Sequence, residues 1–351
     1  MRKFGLILLF VMTLVACQRR PLFYGERESV EVMVKVVWKV AVYPEGIKPN
    51  GITLFYFRNG EYYMQQTTAS VDSCAVQLEP GRYRLFMITE SPEEYGYLEF
   101  DNLTDFDKAS VTAIETKANW YTRADDEKTI VNPEMISAGV SDEFEVTDEM
   151  VEEYQHHLQE QKLTKADDSG AVVNYITIRV PIYPKSIVSQ YWVTIYSDNV
   201  DVLKSVRAST SGMAKTFELT QDITAADEAT QFITQWSVTT DDPEKRIGHV
   251  DGRITTFGFP NGEQPSALRD STLNVAALMI DNETVQEYVF NVGDKIASET
   301  PPLGYRALYR LVLGSVTAPV IHPPDIVPVG GNGGFDATVD DWENIEVDIL
   351  L

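Results

Sequence analysis

From Val30 to Val42 every second residue is apolar: Val30, Val32, Val34, Val36, Trp38, Val40 and Val42, with Glu31, Lys35 and Lys39 among the positions between. A period of two puts all the apolar side chains on one face. The pattern therefore predicts one long strand, Val30–Val42, with that face buried. Shorter runs of similar character follow, GITLFYF, EYYMQQTTA, CAVQL, YRLFMIT and YLEF, separated by Pro49-Asn50-Gly51, Asn59-Gly60 and Pro80-Gly81. Arg58-Asn59-Gly60-Glu61 between two such runs predicts a hairpin, because Asn-Gly accepts the positive φ angles of a tight turn. Strands at this spacing with almost no helical period predict an all-β antiparallel sandwich.

One stretch breaks the pattern. VTDEMVEEYQHHLQEQK opens with acids in its first turn and puts Met150, Val151, Tyr154 and Leu158 on one stripe, which predicts a helix. The polar stretch Thr164 to Gly170 after it is the expected domain boundary. Beyond it, VVNYITIRVPIYPKSIVSQYWVTIYS repeats the outline of EVMVKVVWKVAVYPEGIKPNGITLFYF: an alternating strand, Tyr-Pro (Tyr43-Pro44 and Tyr183-Pro184), a short link and an aromatic strand. The expected organisation is two tandem sandwiches, 30–166 and 171–351. Near the end, PVIHPPDIVPVGGNGG reads as an extended linker, and Ile345, Val347 and Ile349 alternate with acids as a last strand would.

The first residues carry a different signal. Arg2 and Lys3 precede an apolar run from Phe4 to Cys17, which is shorter than the roughly 20 residues a spanning helix needs. This is the layout of an export signal. Its end, Leu14-Val15-Ala16-Cys17, resembles the lipobox of bacterial lipoproteins, which implies cleavage after Ala16 and lipid on Cys17. A doubly acylated cysteine is a stable membrane tether without any helix. Residues 1–16 are then a signal peptide and 17–29 a tether.

Charge narrows the choice of partners. Lys and Arg number 29 against 53 acids, a net charge of −24, and loss of Arg2 and Lys3 with the signal makes it −26. Nucleic acid and anionic membrane surfaces are disfavoured, since both need clustered cations. Acidity of this kind keeps an exported protein soluble. Cys17 and Cys74 are the only cysteines, so a lipidated Cys17 leaves Cys74 unpaired, and its strand-like surroundings predict a buried, inert thiol.

Catalytic patterns are missing. The sequence has no Gly-x-Ser-x-Gly, His-Glu-x-x-His, P-loop or Cys-x-x-Cys, and GGNGG lacks the strand and helix of a dinucleotide fingerprint. No enzyme activity, cofactor or metal is expected. His156 and His157 are neighbours on the helix and diverge by about 100°, unlike metal ligands at i, i+4. His249 and His322 lie in loop-like sequence without an evident partner. Asp241-Asp242 and Asp340-Asp341 lack calcium-loop spacing and read as solvated turns. Trp120-Tyr121, in an irregular acidic stretch, are the candidate glycan contacts, while Trp38 and Trp342 belong to strand patterns and are expected in the core.

Together, CQRRPL after the lipobox, VKVVWKV followed by GITLFYF, LEPGRYRLFMI, VRASTSGMAKTF, TTFGFP before LNVAALMID, and FDATVDDWENIEVDI resemble lipoproteins associated with fimbrillin-type pili of Gram-negative anaerobes. The match is to the fimbrial anchor and accessory type, in a domain-of-unknown-function branch of the fimbrillin-like superfamily. The resemblance implies two transthyretin-like β-sandwich domains, attachment to the outer membrane with exposure at the cell surface, and pilin subunits as partners through strand addition to a sheet edge. It also implies, for shaft pilins, a protease cut after the first strand. Here Lys48 is followed by Pro49 and no arginine lies between Val30 and Phe57, so the first strand is expected to stay. Gln18-Arg19-Arg20 stand where surface-exported members often carry acids. The expected function is that of a lipid-anchored anchor or accessory subunit. The alternative is a glycan-binding surface lipoprotein using Trp120 and Tyr121.

Overall fold

The computed structural model describes residues 29–38, 48–116, 128–164, 178–233, 235–264 and 271–326. Strands β1 (Val30–Val36), β2 (Ile52–Arg58), β3 (Glu61–Thr68), β4 (Ser73–Leu78), β5 (Gly81–Thr89), β6 (Leu98–Asp101), β7 (Ser110–Ala113), β8 (Thr129–Ile130), β9 (Ser137–Val140) and β10 (Phe144–Val146) precede helix α1 (Asp148–Thr164). After it come β11 (Ile178–Ile182), β12 (Lys185–Ser186), β13 (Ser189–Ser197), β14 (Leu203–Ala214), β15 (Thr216–Glu218), β16 (Ile223–Thr224), β17 (Glu228–Ile233), β18 (Gln235–Asp242), β19 (Ile247–Thr256), β20 (Thr272–Met279), β21 (Val285–Asn291), β22 (Ile296–Glu299) and β23 (Leu308–Leu313). Among the described residues the fold is all-β with one α-helix, as the patterning predicts. Its ladders are antiparallel except β1–β11, β13–β23 and β8–β17, which are parallel.

The strand that opens the chain behaves as its alternation demands up to Val36. Val30, Val32, Val34 and Val36 are all buried, and β1 lies between β4 and β11 at the centre of a three-stranded sheet. Its ladder ends at Val36, short of the expected Val42, and residues 39–47 lie outside the described set. Trp38 still reaches the core edge and donates from Nε1 to the Val71 carbonyl at 2.9 Å. Each buried valine contributes about 1.5–3 kcal/mol over an exposed one.

The run ITLFYF is apolar without alternation, and the reason is that both faces of its sheet are covered. That sheet has the order β12-β9-β5-β2-β3, with β10 also pairing β5. Ile52, Leu54, Tyr56, Tyr83, Leu85 and Met87 face the valines of β1 in a first core. Phe55, Phe57, Phe86 and Ile88 point the other way, into a second core with Val111, Ala113, Phe217 and Phe257. Phe55 and Phe86 stack there with centroids 4.7 Å apart. A third core fills the space between the sheets β18-β19-β13-β23-β22 and β21-β20-β14-β17-β8.

Strands from the two halves of the sequence share sheets. β11 and β12, which follow the polar stretch at 164–170, lie beside β1 and β9 respectively. β7 pairs with β15 and β8 with β17. The segment resembling a restart at Ile178–Ile182 is thus a parallel neighbour of β1. The aromatic strand β13 after it is central to its own sheet.

The helix starts where expected. Thr147 caps it, its Oγ1 accepting the Met150 N–H at 3.2 Å, and Asp148 and Glu149 occupy the first turn. Val151 is buried and Tyr154 packs on the first core, but Met150 of the expected stripe is exposed. Only a narrow stripe is covered, because the helix lies on one end of the sandwich against β1.

Candidate functional site: sheet edges and a polar pocket

The unpaired edges of its sheets are the surfaces of a β protein most ready to pair with another chain. Each edge exposes a row of N–H and C=O groups that another chain can pair with unless charge, proline or short length prevents it. β11 is guarded by Arg179 and Pro181, and β18 by Asp241 and Asp242. β22 has only four residues. On β4, the Ala75 carbonyl is already taken by the Gln66 side-chain amide at 3.1 Å.

Among the described residues three long edges have neither lysine, arginine nor proline: β18, which ends in Asp241 and Asp242, β3, with sequence EYYMQQTT, and β21, with VQEYVFN. The exposed positions of β3 are mostly polar. Those of β21 are not: Val285 is 54% and Val289 69% exposed, with Glu287 the one charge. Its partner β20 pairs along its whole length, from Thr272↔Asn291 to Leu278↔Val285. The inward Tyr288 and Phe290 rings stack 10° from parallel and pack on the third core, so the edge is held on a firm base. Among the described residues, β21 has no partner on its outer side.

The hairpin at Asn59-Gly60 forms as predicted, both residues having positive φ (53° and 88°). Asn59 is fixed to β5, donating its N–H to the Arg82 carbonyl at 2.7 Å while its Oδ1 accepts the Arg82 N–H at 3.0 Å. Beside this turn a pocket of about 410 Å³ opens, lined by Phe57, Asn59, Gly60, Arg82, Arg84, Phe106, Asp107 and Glu143. The Arg84 guanidinium lies 3.8 Å from the Phe106 ring centroid, a cation–π contact that keeps it aligned.

The histidines differ from expectation. His249 is on β19, where Gly248, Val250, Gly252 and Ile254 alternate inward and leave His249 with Asp251 on the outer side. Its Nδ1 lies 2.7 Å from Asp241 Oδ2 and its Nε2 3.2 Å from Asp251 Oδ2, so Asp241 holds the edge strand to its neighbour. His322 Nδ1 lies 2.6 Å from Asp198 Oδ2. Alternation in GHVDGRI was the signal for the first pair; the second joins residues too distant in sequence to be read. Asp242 closes the Asp242–Lys245 turn, with Lys245 Nζ at 2.8 Å, and the lysine lowers its pKa chiefly by hydrogen bonding. His156 is exposed on the helix and His157 half-buried, their rings 6.2 Å apart.

Cys74 is buried and free, facing inward from β4. Burial pushes its thiol pKa up, with a hydrogen bond to Tyr56 opposing in part. Among the described residues no cluster of three or more metal-ligating side chains occurs, and no helix is long and apolar enough to cross a membrane. Cys17, Trp120, Tyr121, Asp340, Asp341, Trp342 and the expected last strand lie outside the described residues.

Residues 16–234 match the family model described as "Domain of unknown function (DUF5119)". The chain belongs to the DUF5119 family. No curated protein matches it. Among solved structures, a candidate adhesin from Bacteroides ovatus ATCC 8483 superposes with a TM-score of 0.54 at 13% identity, covering 89% of this chain and 98% of that one. The fimbrial anchor protein Mfa2 from Porphyromonas gingivalis gives 0.45 at 11% identity, covering 81% and 90%. A second candidate adhesin from Bacteroides ovatus gives 0.47 at 10%, covering 81% and 89%. The first of these shows that this DUF5119 chain has the fold of that β-sandwich protein along nearly its whole length.

Proposed function

We propose that this DUF5119 protein is a lipid-anchored structural protein of the outer membrane, a fimbrial anchor or accessory subunit that receives an extended segment of a pilin along β21. The observation that carries the reading is the edge itself: a seven-residue strand, without proline or cation, that presents two exposed valines from a rigid base. Strand addition there supplies affinity through main-chain hydrogen bonds and selectivity through alternate side chains. The tether at the other end is Cys17, which the lipobox marks for acylation after cleavage at Ala16. A surface role is in keeping with the description of the Bacteroides ovatus protein that shares the fold.

Retention of the first strand follows from its position in this reading. β1 is the middle strand of its sheet, and its four valines line the first core. A subunit that keeps this strand offers no vacated groove, so it ends or seats a fibre instead of propagating it.

The test is a pair of variants in the native cell. A clickable fatty acid should label the wild type and leave Cys17→Ser unlabelled and released from membranes. Pili isolated by shear should carry the wild type and lose it in Val285→Lys/Val289→Lys. Pili that retain the double variant, or that never carry the wild type, contradict the proposal.

A further inference from the structure

β18 is an edge strand of its sheet, and its last residues are tied down by a histidine. His249 of β19 lies between two carboxylates. Its Nδ1 is 2.7 Å from Asp241 Oδ2 on β18, and its Nε2 is 3.2 Å from Asp251 Oδ2 on its own strand. The side chains of His249, Asp241 and Asp251 are 19%, 25% and 32% exposed, so water screens these contacts only in part. Neither carboxylate has another salt-bridge partner among the described residues.

The backbone is shaped for this arrangement. Thr240 pairs with Gly248 and Asp242 with Ile247, so Asp241 is the extra residue of a β-bulge. A bulge re-aims a side chain, and this one turns Asp241 to the histidine. An added methyl at Gly248 would run into the Thr239 carbonyl oxygen, so glycine is what allows the two strands their close approach beside His249. Asp251 is fixed by the Thr194 hydroxyl, which donates to its Oδ1 at 2.6 Å. From β13, the Tyr196 ring stands 5.5 Å from the imidazole. The neighbouring cations are engaged elsewhere: Lys245 with Asp242 at 2.8 Å, Arg246 with Asp201 at 2.7 Å and Asp325 at 2.8 Å, and Arg253 over the Trp192 ring at 4.4 Å.

The chemistry of the ring makes the two contacts depend on one proton. A neutral imidazole has one donor and one acceptor nitrogen, so with its Nδ1–H on Asp241 the Nε2 lone pair would face the Asp251 carboxylate. The imidazolium is attracted to both. We propose that His249 is a proton-operated clamp on the β18 edge. Protonated, it ties the strand to β19 through both aspartates. Deprotonated, it keeps one contact at most and leaves a carboxylate uncompensated, and residues 239–242 open more often. The clamp is therefore full on the acidic side, while the aspartates stay ionised, and is lost as pH rises through the histidine's titration. Arg246 holds the β19 side of the turn through Asp201 and Asp325, which confines the opening to the end of β18. The inference does not depend on strand addition at β21.

The experiment is hydrogen exchange of the full chain, read by mass spectrometry between about pH 5.5 and about pH 8.5 and corrected for the intrinsic pH dependence of exchange. Protection at residues 239–242 should fall about three- to tenfold across that range, the size of a partly screened charge contact. The β20–β21 hairpin, which carries no histidine, should stay level. His249→Gln, which cannot take up the proton, should show the low protection throughout, and His322, which also faces a carboxylate, is intact in that variant. Asp241→Asn, of nearly the same size, should flatten the profile as well. Wild-type protection at 239–242 that does not change with pH, an equal loss in the β20–β21 hairpin, or a pH-dependent loss that persists in His249→Gln or Asp241→Asn overturns the proposal.

Discussion

Thr112 and Thr216 face each other across the β7–β15 ladder with their hydroxyl oxygens 3.0 Å apart, so residues 104 positions apart in sequence meet as strand partners. Lys215 Nζ beside them reaches Glu115 Oε1 at 2.6 Å, which Lys128 Nζ also contacts at 2.6 Å. Both halves of the chain therefore build the sheet that closes the second core.

Phe217 sits in that core, with its ring 6.1 Å from Phe257. Phe217→Ala should destabilise the protein by about 3–5 kcal/mol, the usual result of emptying a buried aromatic site. Because the core is common to both halves, urea unfolding followed by fluorescence and by circular dichroism should stay a single coincident transition. Two separated transitions in the wild type would show that the halves unfold independently.

Stability should fall on the alkaline side. Burial, the first cause in each case, raises the pKa of Tyr83 and Tyr288 to about 12 and raises Tyr56, Tyr191, Tyr309 and Cys74 as well. A folded pKa above the unfolded one means that the fold favours the neutral form. Its contribution is full below the ordinary thiol and phenol range, about pH 8.5–10, and declines as pH rises through the folded values. Tyrosinate absorbance and loss of β circular dichroism should therefore rise together; tyrosines that all ionise near pH 10 in a still-folded protein would contradict this.

At Gly252 an added methyl would lie 2.7 Å from Ile233 Cγ2 and 2.8 Å from Trp236 Cη2. Gly252→Ala should cost about 1–3 kcal/mol by overpacking, read from a denaturant midpoint. Hydrogen exchange should speed up first in β18, the strand pressed against this position.

Cys74 should resist a thiol reagent in the folded soluble chain and react on unfolding, since it is 7% exposed and its pKa is raised. Labelling at the rate of a free thiol in native buffer would show that the β4 edge opens readily.

Period-two patterns were legible wherever one face of a strand meets a core and the other meets water. Val30 to Val36 and the Asn59-Gly60 hairpin are the clearest cases. β2 hid its role because covering both faces erases the alternation. The sharing of sheets between halves was not legible, because pairs such as Thr112 with Thr216 are set by long-range register that no local pattern encodes. The open edge was written in the alternation of Val285, Glu287 and Val289, but only the sheet order shows that β21 is at an edge. Arg82 and Arg84 were likewise visible as alternate residues, while Phe106 and Asp107 come to them from one loop and Glu143 from another.

The most direct test of the central claim places a photo-crosslinking residue at Val289 of β21 in living cells, with Gln65 of β3 as the matched edge control. The account predicts a single heterodimeric adduct at Val289 whose partner is identified by mass spectrometry as a pilin subunit, and little or none at Gln65. Absence of a pilin adduct at Val289, or equal adducts at both positions, would contradict it.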